Sequence, residues 1–104
     1  MHATDIARLF PAGVVVCVAE PAMYRAELFP EEAVAVASAV TKRREEFAAG
    51  RAAARRALAA LGVPAAPLPR GERRAAVWPK GFVGSITHCA GFCAAAAASD
   101  TIVL

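Results

Sequence analysis

The first strong pattern is apolar throughout. Val14-Val15-Val16-Cys17-Val18-Ala19 is an uninterrupted apolar run between Gly13 and Pro21. A short β-branched run of this kind predicts a strand buried on both faces. Before it, Asp5 to Phe10 predict one helical turn stopped by Pro11, and residues 20–29 predict a connection. The pattern then becomes helical. Pro30-Glu31-Glu32 suits a first turn, because Pro has no N–H to lose there and the acids oppose the positive end of the helix dipole. Val36, Val40, Phe47, Ala54, Leu58 and Leu61 follow as an apolar stripe at helical spacing. Gly62 and Pro64 form the stop. One helix of that length is long for a small domain, and a break near Thr41 would give two.

The second half has strand character. Residues 63–75 hold three prolines and predict an extended, linker-like loop. Trp78-Pro79-Lys80-Gly81 is a stiff turn leading into a central strand, Val83 to Cys89. Strand alternation puts Ser85, Thr87 and Cys89 on one face and Ile86 and His88 on the other. The run Phe92-Cys93-Ala94-Ala95-Ala96-Ala97-Ala98 sets two rules against each other. Alanine favours helix, but a strand followed by Ala90-Gly91 favours a hairpin with this run returning. The hairpin is the reading adopted. Thr101 to Leu104 opens another β-like run, so the chain is expected to be part of a longer protein. The fold expected for residues 1–104 is α+β: a small, mostly antiparallel sheet packed by one long or broken helix, without internal repeats.

Composition narrows the partners. The chain has 104 residues, enough for one domain or part of one. Its hydrophobic fraction is 58%, much of it alanine, so Trp78, Tyr24, the phenylalanines and the larger aliphatics must supply most of the packing area. A net charge of +3 favours an anionic partner: a nucleotide, a nucleic acid or an acidic protein. Cys17, Cys89 and Cys93 are an odd number with no secretory signal before them, which points to reduced thiols in the cytosol. Residues 14–19 are far too few to span a membrane. A metal site from His88, Cys89 and Cys93 is disfavoured, since adjacent His and Cys do not easily face one ion and no Cys-x-x-Cys pair is present.

Two stretches carry candidate chemistry. Between Thr41 and Arg56 stand five arginines. Arg44, Arg51 and Arg55 share a narrow helical sector, with Arg43 close to it. The small residues at 48–50 and 52–54 leave room for a ligand to approach. Such a face is either solvated, an anion site or a nucleic-acid-binding helix. The second stretch is Gly84-Ser85-Ile86-Thr87-His88-Cys89, where a free backbone, two hydroxyls and an imidazole can all meet an anion. A strand whose buried His bonds the backbone would look the same.

Three blocks taken together carry a resemblance. They are Leu28-Phe29-Pro30-Glu31-Glu32; Arg43-Arg44-Glu45-Glu46-Phe47 with Gly50-Arg51, Arg55, Ala57-Leu58 and Leu61-Gly62; and Trp78-Pro79, Gly81 and Gly84-Ser85-Ile86-Thr87-His88-Cys89. In this order and spacing they resemble the large, pseudo-dimeric 4′-phosphopantetheinyl transferases, within them the enterobactin-synthesis subclass. The resemblance runs from about Leu28 to Cys89. It implies the N-terminal half of a pseudo-twofold fold. The implied reaction moves the phosphopantetheine arm of coenzyme A to a Ser of an acyl or peptidyl carrier protein, with 3′,5′-ADP leaving and magnesium assisting.

Carried over by position, the resemblance implies that Arg43 and Arg51 reach the nucleotide phosphates and that Arg70 lies near the 3′-phosphate. Ser85, Thr87 and His88 would lie against the adenosine and phosphates, His88 donating best when protonated. Arg44 and Arg55 are assigned to packing or salt bridges. Ala76 stands where family members commonly have Pro. The family's metal-binding Asp-x-Glu pair is expected beyond Leu104, so no metal ligand and no catalytic residue is expected here. The isolated chain is therefore expected to be inactive, with the missing C-terminal half as its partner, and neither nucleic acid nor membrane is expected to bind. Two competing readings are a basic nucleic-acid-binding module and a non-catalytic half that pairs with a separate chain.

Overall fold

A computed structural model of the chain describes residues 13–89 and 91–100. The predicted helical turn at Asp5–Phe10 and the run at Thr101–Leu104 lie outside them. The order of elements is strand β1 (Val15–Val18), a 3-10 turn (Pro21–Arg25), helix α1 (Pro30–Ala33) running into a 3-10 turn (Val34–Val36), helix α2 (Thr41–Ala60), and strands β2 (Phe82–Cys89) and β3 (Phe92–Ser99).

The described strands form one antiparallel sheet in the order β1-β3-β2. Among the described strands the alanine-rich run is thus the central one, and β2, expected at the centre, lies at one side of it. Packing explains why residues with helical propensity form this strand. Ala95 and Ala97 face α2 and are buried, and they meet a helix face made of Ala49, Ala53, Ala54 and Ala57, also buried. Small side chains on both surfaces let helix and sheet approach closely. Tertiary packing has overridden local propensity. The strands β2 and β3 pair as a hairpin, with Cys89 opposite Phe92 and Gly91 at φ 72°.

The helical segment is broken, as the sequence allowed. Val40 is extended (ψ 160°) and α2 restarts at Thr41. Val40 therefore leaves the expected apolar stripe and is 74% exposed, whereas Val36 is buried. The predicted stop is a Schellman closure: Gly62 N–H donates to Ala59 O (2.9 Å) and Val63 N–H to Leu58 O (3.0 Å), with Gly62 at φ 85°.

Two expectations change. Among the described strands β1 pairs on one side only, with β3, in an antiparallel sheet. Its inner residues Val16 and Cys17 are buried, and its ends are only half-buried. Residues 63–75 are not a solvated linker, because Leu68 is fully buried in the core. Glu32 causes this. Its carboxylate is fully buried, accepts from Leu68 N–H (2.7 Å) and Phe29 N–H (3.1 Å), and pairs with Arg55. One α1 side chain thus ties the loop to both helices.

Candidate functional site

Above that junction lies a cavity of about 300 Å³ between α2, the 70–76 loop and β2. Arg43, Phe47 and Arg51 line it from α2, spaced four residues apart and so stacked along one helix face. Arg70, Arg74 and Trp78 line it from the loop side, and Ser85, Ile86 and His88 from β2. No carboxylate is among the lining residues, while four are arginines.

Arg51 is the most constrained of them. Its side chain is 6% exposed, its guanidinium lies 4.1 Å from the centre of the Phe47 ring, and its Nε donates to Leu68 O at 2.7 Å. Its Nη2 is buried with no hydrogen-bond partner among the described residues. Burial pulls its pKa below the usual arginine value; Glu32 opposes that shift, and Arg55, Arg70 and Arg43 add to it. A guanidinium stays charged even so, leaving a buried cation whose donor has no acceptor. That is the condition an oxyanion relieves.

Arg70 is held by its Nη2–H, which donates to Ala35 O. Gly50 lets His88 come close to α2. A Cβ at Gly50 would stand 2.9 Å from His88 Nε2 and 2.8 Å from Ile86 Cγ2. Nε2 also lies 3.9 Å from Cys93 Sγ. One side of the ring remains open to solvent, yet the dry side against the helix dominates. Desolvation lowers the His88 pKa below 6.5; Glu46 raises it, and Arg43 and Arg51 lower it further. Without a bound anion His88 is therefore a neutral imidazole at neutral pH. Trp78 packs over Gly84, where a Cβ would fall 2.4 Å from the indole and 2.6 Å from Ala96 O.

Five of the six expected site residues come together: Arg43, Arg51, Arg70, Ser85 and His88. Thr87 does not. Strand alternation turns it to the opposite face, where it lines a shallow groove with Ser85, Val16, Phe92 and Ala94; Ser85 shares that face and borders both the groove and the cavity. Arg44 and Arg55 lie away from the cavity, Arg44 beside a groove with Tyr24 and Leu28, Arg55 against Glu32 and the Phe29 ring. Sequence reasoning missed Arg74, Phe47, Trp78 and the role of Glu32. The four-residue spacing of Arg43, Phe47 and Arg51 was the signal for Phe47. Nothing local marks Glu32 as a buried tie.

Among the described residues, no group of three His, Cys, Asp or Glu side chains stands where it could hold a metal ion. Burial pushes the Cys93 thiol up to about 11, with Cys17, Glu46 and Cys89 adding to the shift, so it is protonated at neutral pH. These donors do not fit magnesium. No helix among the described residues is long and apolar enough to cross a membrane.

Comparison with known proteins shows the family. The family described as "4'-phosphopantetheinyl transferase N-terminal domain" matches residues 31–98. The 4′-phosphopantetheinyl transferase Svp of Streptomyces mobaraensis is 59% identical over 71 residues, covering 68% of this chain and 29% of that protein. The 4′-phosphopantetheinyl transferase Npt of Nocardia iowensis is 46% identical over 95 residues, covering 89% of this chain and 42% of that protein. Enterobactin synthase component D of Salmonella typhi is 51% identical over 53 residues, covering 51% of this chain and 22% of that protein. The matched part of this chain thus spans between about a fifth and two fifths of the length of each relative.

Proposed function

Since this chain belongs to the 4′-phosphopantetheinyl transferase N-terminal domain family, we propose that its arginine-lined cavity is one wall of a coenzyme A site. The enzyme it serves transfers 4′-phosphopantetheine to a Ser of an acyl or peptidyl carrier protein. The observation that carries this reading is the buried, unpaired Nη2 of Arg51 in a cavity with four arginines and no acid. Phosphoryl transfer from coenzyme A needs charge neutralisation and positioning more than covalent help from the protein. The residues present are suited to that task. Arg51 and Arg43 offer guanidinium N–H groups from the helix, Arg70 adds charge from the loop, and His88 adds a neutral donor from β2.

The cavity is at the small end for ligand sites. It suits the nucleotide end of coenzyme A and leaves the pantetheine arm outside. The sheet face turned away from α2 exposes Val83 (47%) and Phe92 (40%). We assign that apolar face to contact with the second half of the enzyme, which would also bring the magnesium ligands.

The test has two parts. Calorimetric titration of the chain with 3′,5′-ADP is expected to show one site. Incubation of residues 1–104 with coenzyme A, magnesium and an apo carrier protein is expected to give no transfer. Failure to bind 3′,5′-ADP overturns the site, and turnover by the chain alone overturns the division of labour between halves.

A further inference from the structure

The loop between Arg70 and Ala76 is a tight reversal. Arg70 and Ala76 pair across it, Gly71 N–H donates to Ala75 O (2.7 Å), Ala75 N–H to Glu72 O (3.1 Å), and Val77 N–H to Pro69 O (2.8 Å). At its tip, Arg73 (φ 55°) and Arg74 (φ 63°) are both left-handed. The other left-handed positions described are glycines: Gly13, Gly62, Gly81 and Gly91. A side chain in this conformation brings its Cβ against the following carbonyl, which glycine avoids. Two arginines in succession therefore strain the loop. Among the described residues neither is held by a hydrogen bond or ion pair that would offset the strain. Strain of this kind concentrates at ligand clamps.

The two arginines differ in one respect. Arg74 lines the cavity and Arg73 does not. Across the cavity from Arg74 stand Arg43 and Arg51 on α2. On the loop side, Arg70 has one Nη committed to Ala35 O, so Arg74 is the unanchored cation of that wall. We propose that Arg74 is a further phosphate-binding residue, held at the cavity by the left-handed turn, and that it makes the site prefer a nucleotide with two separate phosphate groups over one with a single group. This rests on the coenzyme A reading of the cavity. One phosphate satisfies the helix wall alone; a second, carried elsewhere on the ribose, meets the loop wall as well.

Arg73 is the internal control, since it shares the charge, the strain and the loop but not the cavity. The chain and its Arg74→Gly, Arg73→Gly and Arg74→Lys variants are titrated with 3′,5′-ADP and with 5′-AMP, and melted. Arg74→Gly is expected to weaken 3′,5′-ADP binding about tenfold and 5′-AMP binding about threefold or less, as loss of one charge-assisted contact implies. Arg73→Gly should change either by less than about twofold. Arg74→Lys should recover part of the loss. Both glycine variants should melt about 2–5 °C higher, because glycine removes the left-handed strain.

Equal weakening by the two glycine variants would reduce Arg74 to net charge and overturn the proposal. So would equal loss for both nucleotides, or a lower melting temperature for Arg74→Gly. If the unsubstituted chain binds neither nucleotide, the coenzyme A reading fails first and the proposal with it. If it binds both and Arg74→Gly changes nothing, only the proposal fails.

Discussion

Arg51 and Arg55 stand one turn apart on α2, yet the two regions they serve are opposites. Arg55 enters a sealed junction. It pairs with Glu32, whose carboxylate also accepts from the Leu68 and Phe29 amides. Arg51 enters an open cavity with one Nε bond, a Phe47 ring under its guanidinium and an Nη2 with nothing to meet. Both lie over aromatic rings, at 4.1 Å and 5.1 Å. What separates them is a carboxylate. Where one reaches the guanidinium, the arginine holds the fold together; where none does, it keeps an unpaired donor. Leu68 links the regions, because its N–H is fixed by Glu32 and its C=O by Arg51 Nε. The structural junction therefore sets the position of the cavity's central cation.

The largest effect should come from breaking the sealed side. Glu32→Ala leaves Arg55 unpaired and the Leu68 amide without an acceptor, and is expected to cost about 3–5 kcal/mol of stability by urea denaturation. A loss under about 1 kcal/mol would mean that the junction is incidental. On the open side the prediction reverses. Arg51→Met should cost far less stability than Glu32→Ala, since it removes an unsatisfied buried cation along with one hydrogen bond. It should weaken 3′,5′-ADP binding by about 2–3 kcal/mol. Equal stability losses for the two variants would erase the distinction.

Gly50→Ala probes the seam between α2 and β2. Its Cβ would fall 2.8 Å from Ile86 Cγ2 and 2.9 Å from His88 Nε2, so it should cost about 1–3 kcal/mol in thermal melts and displace His88. Retained stability together with retained affinity would show that the close approach is unnecessary.

pH offers a smaller effect with a definite sign. The His88 pKa is below 6.5 in the fold, so the unfolded chain binds the proton more readily. Its contribution to stability is complete above pH 6.5 and is lost as pH falls through the depressed value. A bound phosphate acts oppositely. It favours the imidazolium, so affinity should rise as pH falls through the neutral range, by up to about tenfold per pH unit. Subtracting the profile of His88→Gln removes the ligand's own titration. Identical profiles would take His88 out of the site. The smallest effect belongs to Arg56, whose pair with Glu20 at 2.7 Å is exposed; Arg56→Ala should leave 3′,5′-ADP binding unchanged and alter stability by less than about 0.5 kcal/mol.

These contrasts show which features the residues announced. The helix stop at Gly62, the break before Thr41 and the hairpin of β2 with β3 depend on local turn chemistry, and all three were readable. Strand order was not, because it depends on which surfaces are small enough to meet. The alanines of β3 and α2 fit each other only once both exist. The sequence brought Arg51 and Arg55 into one sector but gave no sign that Glu32, far back in the chain, would claim one of them. Thr87 shows the converse. Alternation already separated it from His88, and the period of two prevailed over the expectation that both would touch one ligand. Arg74 escaped notice because a left-handed arginine has no signature in composition or spacing.

The most direct measurement is a two-dimensional 15N–1H NMR titration of the chain with 3′,5′-ADP, following backbone amides and the Arg51 Nε–H. The expected result is saturable shifts at Phe47, Gly50, Arg51, Trp78, Ser85 and His88 and a marked change at Arg51 Nε–H, with Thr87 and Ala94 on the far face of the sheet unmoved. Shifts centred on Thr87, Phe92 and Ala94, or no movement at Arg51, would contradict the assignment of the arginine cavity as the nucleotide site.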